Sequence, residues 1–572
     1  MNIKLKYVVD SPYDIGLVKA RGIQDVEGFL NPSKDNLESP WDLDNMDEAV
    51  RTVRRYVDLP TLVVCDSDCD GYNSASMIIA YLQECYPSWD FDYFLHSKKQ
   101  HGLQDVVEEV DLTQYRLVIL PDAGSNDDEY FERFPNVDFV ILDHHERGSE
   151  EAPPENAVIV NNQNSKNYLN KALCGAGVTW QFCRAYDFRY GYEYAWKYID
   201  QAAVAIIGDV MNITTPENAY IIKEGLANPR NSFIKLLCNN AAYSLGAELT
   251  PIGIAFYIVP MINAMCRTGK MEEKDRMFKA FTWPDTMVVS HKRGVAPGTE
   301  VKVGIESVRE CTNVKAKQKR EQAKMADLCE KKIIEDDLLN NKIIIIVLDE
   351  TFYNIPSELN GLAATQLSNK YNHPVYILRE NDEGELKGSG RGLETIDMPP
   401  LKEFMESSGL VEWVQGHQNA HGSCIKAKNL EKFTAWANEQ LKDVDMNSKS
   451  WQVDFNLKAT DPAIKDIIFA MDKLSPYYGQ GFPEVEISVH DIEVPKSDIH
   501  VMGKTGDTVK VMCNGIAYMF FKRGIEEVKK MLEHPRMCFN IVGKPNVNYY
   551  NGMITPQIFV DDYECYNAVY RF

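Results

Sequence analysis

At 572 residues the chain exceeds what one hydrophobic core supports, so three or four domains are expected, and 44% hydrophobic with 25% charged residues is the composition of a soluble globular protein. The amino-terminal MNIKLKYVVD lacks a signal-peptide core and the densest aliphatic run, Ile343 to Leu348, falls far short of the roughly 20 residues of a bilayer span, so no membrane association is expected; thirteen cysteines without a CxxC pair fit reduced thiols in a cytoplasm. The formal charge of −23 lowers the expectation of a nucleic-acid partner without excluding a local basic groove.

Residues 1–45 hold short amphipathic pieces broken by Pro32 and Pro40 and read as a small helical lead-in. From residue 46 the pattern alternates. A helix over Met46 to Tyr56 leads to a strand at Thr61 to Cys65, an aspartate loop and a helix from Tyr72 to Cys85. Apolar strands follow at Leu117 to Pro121, Phe139 to Leu142 and Ala157 to Val160. This predicts an α/β domain over 46–309, a doubly wound parallel sheet whose ligands bind beyond the carboxyl ends of the strands. Residues 310–337 are charged and rich in helix formers, which predicts a linker helix; its basic cluster, Lys315 to Lys324, is either a solvated face or a phosphate contact. Residues 338–445 repeat the alternation as a second, smaller α/β domain: the IIIIVLDE strand, a helix near 358–371 and the VYIL strand. Residues 446–572 read as β-rich, with strands near 451–456, 485–490, 508–513, 517–521 and 537–543, and fit an OB-like barrel.

The chemistry gathers at the strand ends of the first domain. The strand Thr61 to Cys65 runs into Asp66, Asp68 and Asp70. Carboxylates this crowded repel one another and serve a divalent cation better than a fold, although a lone DxDxD is as often a solvated acidic loop. The strand ending at Leu120 runs into PDAGSN and delivers Asp122; the strand ending at Leu142 delivers Asp143, His144 and His145. The apolar segment AAVAIIGDVMN adds Asp209. One aspartate after a strand is usually a turn former. Four coincidences on one sheet edge argue for a site.

DSDCDG, PDAG, LDHHE and IGDVMN, in this order, resemble the motifs of the DHH phosphoesterase superfamily, and within it the sequence is similar to the RecJ single-strand-specific exonucleases over nearly its whole length. The likeness extends through VIVNNQNSKNYLNKALCGAGV (158–178), IVPMINAMCRTG (258–269), GSGRG (388–392), GHQNAHG (416–422), KLSPYYGQGFPE (473–484) and NVNYYNGMITPQIFVDDY (546–563). The resemblance implies two Mn²⁺ or Mg²⁺ per active site. Asp66 and Asp68 would bind one cation and Asp70 the other, with Asp122 bridging and His144 and Asp209 completing the second sphere. His145 would face the scissile phosphate, and Asp143 would orient a histidine ring. Two cations about 4 Å apart can clamp the attacking and leaving oxygens of an in-line displacement, and the Asp/His mixture suits Mn²⁺.

The resemblance further implies an exonuclease on single-stranded DNA, working 5′ to 3′ with release of mononucleotides in DNA repair or recombination. It would be a cytoplasmic monomer, with a single-strand-binding protein or a helicase as partner. Ser389 and Arg391 would take the 5′ phosphate, aided by glycines that let backbone amides approach it. His417 and His421, with Asn263 and Arg267, would be further substrate contacts. Phe520 and Phe521 are candidates for base stacking, although strand alternation predicts that one of them fills the core. The sequence also departs from the family. His96 stands where many relatives have an arginine, with HGL at 101–103 and Lys98 and Lys99 as substitutes; Met261 replaces the first arginine of PRINAxGR, and SELNGLAA replaces HPGV. Aligning on Gly208 would put Asn212 in the place of Asp209. Two other readings stand beside this one: a DHH phosphodiesterase for cyclic dinucleotides or short oligonucleotides, against which the OB-like tail speaks, and a non-catalytic replication scaffold, against which the retained carboxylates speak.

Overall fold

Thr61–Cys65 is buried at every residue, and successive side chains enter opposite faces of a sheet. Val63, Cys65, Ile119, Val140 and Leu142 fill one core; Leu62, Val64, Val118, Leu120, Phe139 and Ile141 fill the other. Burial on both faces explains why these strands read as continuous apolar runs. The computed structural model describes residues 1–98, 100–149, 151–349, 355–446, 448–550 and 552–568. The chain divides into one unit of Arg21–Ala316 with Leu474–Glu484 and another of Met1–Ala20, Lys317–Lys473 and Val485–Phe572.

The sheet of the first unit has five parallel strands in the order Phe91–Leu95, Thr61–Cys65, Leu117–Pro121, Asp138–Asp143, Ala157–Asn161. The order reverses between Thr61–Cys65 and Leu117–Pro121, so the chain leaves these neighbours in opposite directions and opens a crevice at their carboxyl ends. Asp66 and Asp122 follow those two strands. The helix after the aspartate loop starts at Cys69, three residues earlier than its apolar pattern predicts, because Asp68 caps it: Oδ1 accepts from the N–H groups of Asp70 (2.9 Å) and Gly71 (3.1 Å). The apolar run before Asp209 is a buried helix, Ile199–Gly208, whose alanines favour that state. Asp209 is its C-cap.

The lead-in is only partly helical. Asn2–Leu5 is a strand, paired in parallel with Ser450–Val453, and short helices follow at Tyr13–Ala20 and Val26–Leu30. The charged helix spans Val303–Glu335, beginning before its charged portion. In the second unit, five strands are ordered Val411–His417, Ala420–Lys426, Glu385–Arg391, Val375–Glu380, Ile344–Leu348. The carboxyl-terminal region forms a mixed seven-stranded sheet, with a helix at Ile464–Lys473 that departs from the β-rich reading. Its largest element is a hairpin of Arg536–Tyr550 and Met553–Asn567. Gly543 and Pro545 mask this length in the sequence; a bulge at Val542/Gly543 absorbs the break, and a Cβ at Gly543 would collide with the Phe559 carbonyl. All thirteen cysteines are unpaired. Among the described residues no helix is long and apolar enough to cross a membrane.

Candidate metal centre and substrate contacts

The carboxylates predicted from separate strand ends meet. Donor atoms of Asp66, Asp68 and Asp122 lie within 4.8 Å of one another, as do those of Asp70, His144 and Asp209. The two groups touch where His144 Nε2 stands 3.2 Å from Asp122 Oδ1; the same nitrogen is 3.6 Å from Asp209 Oδ2 and 3.8 Å from Asp70 Oδ2. Several of these residues are held from behind. Asp70 accepts the N–H groups of Gly175 and Ala176, both at 2.7 Å, at the start of helix Gly175–Tyr190. Asp122 has a φ of 70°, and its N–H donates to the Leu142 carbonyl (2.8 Å). Asp143 accepts the N–H groups of Ser125 (2.9 Å), His144 (2.7 Å) and His145 (3.1 Å), and His145 Nδ1 at 2.8 Å. Asn212 serves a turn, accepting from the Thr214 N–H and hydroxyl.

The electrostatics are those of a site built around positive charge. Burial and the neighbouring Asp70, Asp68, Asp66 and Asp209 raise Asp122 well above the carboxylate range. Burial, Asp70 and Asp68 push Asp209 up to about 8; burial, Asp66 and Asp70 push Asp68 up to about 6. The buried oxygens Asp66 Oδ1 and Asp122 Oδ1 make no hydrogen bond. Buried carboxylate oxygens without a hydrogen bond and mutually opposed charges are offset by divalent cations, so the oxygen-rich donor set with one imidazole fits Mn²⁺ or Mg²⁺. Asp143 differs: burial opposes its charge, but the hydrogen bond from His145 and the charges of both histidines hold it well below the usual range. The same bond lifts His145 to about 9, and burial depresses His144. A further group, His291, Glu306 and Glu310, is engaged by arginines: Glu310 takes Arg276 at 2.7 Å, and Glu306 pairs with Arg309.

Residues 60–207 match the N-terminal domain of the DHH family, and residues 453–562 match the RecJ OB domain. The chain is 32% identical to YorK of Bacillus subtilis, an SPbeta prophage-derived protein named for single-strand DNA-specific exonuclease activity, over 96% of this chain and 95% of that protein. The chain belongs to the RecJ-like DHH family. It is also 22% identical to RecJ of Haemophilus influenzae, named a single-stranded-DNA-specific exonuclease, over 95% of both chains. Its fold is that of RecJ from Thermus thermophilus crystallised with Mn²⁺, with a TM-score of 0.71 and 20% identity, covering 97% of this chain and 76% of that one.

The remaining residues singled out by likeness to the RecJ family are placed unevenly. Asn263 Oδ1 accepts the Cys69 N–H at 2.9 Å and so steadies the start of the helix that carries Asp70; Arg267 is half-buried with a buried Nε. Lys98 is exposed, and Lys99 lies outside the described residues. GSGR is not an open glycine loop but part of strand Glu385–Arg391, paired on both sides, so its backbone serves the sheet and any ligand falls to side chains. Its glycines admit neighbours: a Cβ at Gly390 would collide with the Tyr376 ring. Across the register Arg391, Ala420 and His417 stand in one row and Ser389 and Gly422 in the next, so Ser389, Arg391 and His417 share a face with small residues between them. His421 lies on the other face, buried, with Nε2 2.6 Å from Tyr376 Oη. Phe520 is fully buried against Phe539 and Tyr563, which corrects its reading as a stacking residue; Phe521 is 45% exposed. Two exposed aromatics, Tyr549 and Tyr550, escape the sequence reading because their strand runs past the length its pattern predicts. His101 carries no signal of its own beyond its place in HGL, yet it stands 2.7 Å from Asp66.

Proposed function

We propose that this chain is a two-metal exonuclease that hydrolyses the phosphodiester bonds of single-stranded DNA, 5′ to 3′ with release of mononucleotides, in DNA repair or recombination. The observation that carries the reading is the meeting of two carboxylate-rich donor groups at Asp122 and His144, beyond the strand ends of a switch-point sheet. The exonuclease names of YorK and RecJ support the substrate. In this reading Asp66 and Asp68 hold one Mn²⁺ or Mg²⁺, Asp70, His144 and Asp209 the other, and Asp122 is shared. Bound there, the cations would supply Lewis acidity to the phosphate oxygens and lower the pKa of water.

The chain's own groups position the substrate. Asp143 accepts from His145 Nδ1 and holds the ring, which leaves Nε2 to face a phosphate oxygen. Ser389, Arg391 and His417 offer a hydroxyl, a guanidinium and an imidazole to the terminal phosphate; His421 supports their strand from behind. Arg267, Asn263 and Lys98, with Lys99 outside the described residues, are the further substrate contacts of this reading, and Phe521 offers a ring to a base. The domain limits that go with this reading are 46–309, 310–337, 338–445 and 446–572 after the lead-in. The enzyme acts as a cytoplasmic monomer recruited by a single-strand-binding protein or a helicase.

The test is purified protein with Mn²⁺ and end-labelled single-stranded DNA, duplex DNA, RNA and dinucleotides. Mononucleotides released from the 5′ end of single-stranded DNA are expected. Cleavage of dinucleotides alone, or DNA binding without turnover under any metal, would overturn the reading.

A further inference from the structure

Segment 96–103 lies beside the aspartate loop and is held at His96, Ser97, Gln100 and Leu103. Lys274, fully buried, donates Nζ to the carbonyls of His96 (3.2 Å) and Ser97 (2.9 Å). Ser67, between two of the aspartates, is bonded reciprocally to Gln100: the Gln100 N–H donates to Ser67 Oγ at 3.1 Å and that hydroxyl donates to the Gln100 carbonyl at 3.2 Å. Gly102 turns the chain at a φ of 69°, and the Leu103 N–H donates to Asp127 Oδ2 at 2.8 Å. A buried lysine bonded to two carbonyls is a costly anchor for a surface turn.

What the segment delivers is His101. Its Nδ1 is 2.7 Å from Asp66 Oδ2, and its ring centroid is 6.1 Å from that of His145. Asp66 is 2% exposed and its other oxygen, Oδ1, is buried without a hydrogen bond. A carboxylate at a strand end turns readily about its last bond. A donor fixed on one oxygen sets that rotation and decides where the other points.

We propose that His101 is a positioning residue for the metal centre: by donating Nδ1–H to Asp66 Oδ2, it fixes the carboxylate so that Oδ1 faces the cation. The inference rests on the two-metal reading above. It makes the HGL segment, rather than the aspartate loop alone, responsible for the geometry of the first donor group. Partners that orient a metal-bound carboxylate act on affinity and do not themselves touch substrate.

The chemistry of the donor gives the test. An asparagine amide nitrogen can occupy the place of Nδ1, whereas a glutamine amide reaches the place of Nε2. Binding of Mn²⁺ to wild type and to His101→Ala, His101→Asn and His101→Gln is read from the electron-spin signal of free Mn²⁺, and turnover of single-stranded DNA is measured across Mn²⁺ concentrations. His101→Ala and His101→Gln should weaken Mn²⁺ binding by about 10- to 100-fold. Their kcat should recover at saturating Mn²⁺ with KM for DNA unchanged, and His101→Asn should stay near wild type. Mn²⁺ affinity equal to wild type in a folded His101→Ala protein, or a raised KM as the sole change, overturns the proposal. Should His101→Ala not fold, the asparagine and glutamine variants decide, and equal affinities in those two overturn it. A wild-type protein that binds no Mn²⁺ overturns the two-metal reading and this proposal with it.

Discussion

Asp122 holds a left-handed backbone conformation that few residues other than glycine adopt, and aspartate and asparagine are among those that do. That φ turns the chain out of strand Leu117–Pro121 and aims the carboxylate back across the edge toward His144. Asp122→Asn keeps the backbone preference and removes the charge. It should lower exonuclease turnover by about 10²- to 10³-fold, the scale of losing one preorganised electrostatic group, and abolish the rise in melting temperature that Mn²⁺ gives wild type. The metal-free melting temperature should not fall, because the substitution relieves a carboxylate crowded by Asp70, Asp68 and Asp66; a large loss of metal-free stability would assign Asp122 a structural role instead. Gly175 carries the complementary prediction. It binds nothing through a side chain, yet a Cβ there would collide with the Asp122 carboxylate, while its N–H serves Asp70. Gly175→Ala should cost about 1–3 kcal/mol by overpacking and weaken Mn²⁺ binding, both measurable by calorimetry. Of this site the sequence discloses the carboxylates and the paired histidines, because apolar runs end on them, strands for most and a helix for Asp209. Gly175 and His101 act through distances that no local pattern records.

Elements differ in how openly they declare themselves. Thr61–Cys65, Leu117–Pro121 and Ala157–Asn161 of the first unit's sheet are buried on both faces and read as apolar runs, so their ends are legible, whereas the edge strand Phe91–Leu95 carries an exposed Asp92 and is not. The long hairpin is not, because Gly543 and Pro545 interrupt its alternation, and without it the partners that bury Phe520 stay hidden. Phe520→Ala should destabilise the protein by about 3–5 kcal/mol in urea titrations, as for a buried ring. Tyr550, 64% exposed at the hairpin tip and paired across it with Met553, should be nearly neutral for stability. If it stacks on a base, Tyr550→Ala weakens single-strand binding by about 1–3 kcal/mol in fluorescence anisotropy, and unchanged binding removes it from the interface. Glu486, before strand Ile487–Pro495, gives a pH signature. Burial and the charge of Asp561 raise it to about 7, against the pull of Lys544 and Lys6 and with Asp454 adding to the rise. A folded value above the ordinary 4.5 means that ionisation opposes folding, with a cost that grows from pH 4.5 upward and is complete above about 7. Glu486→Gln should therefore raise the melting temperature at pH 8 and lose that advantage toward pH 4.

At the scale of the whole molecule, a chain of formal charge −23 is proposed to bind a polyanion. The contradiction is resolved if the contacts are few and the divalent cations carry the charge at the scissile phosphate. The proposed cationic contacts from protein side chains are Lys98, Lys99, Arg267 and Arg391. The basic stretch of helix Val303–Glu335 is not among them; within it Lys317 is paired with Glu321 at 3.7 Å. For single strands, affinity falls with salt at about 0.7 logarithmic units per neutralised phosphate, so four contacts give a log–log slope near −3. Arg391→Ala should flatten that slope by about 0.7 and weaken binding alike for all sequences, because a terminal phosphate carries no base identity. Asp122→Asn, by contrast, should leave the slope in NaCl unchanged and alter only the dependence on Mn²⁺. A wild-type slope steeper than about −6 would require more cations than the proposed contacts supply and would bring the basic face of the long helix into the interface.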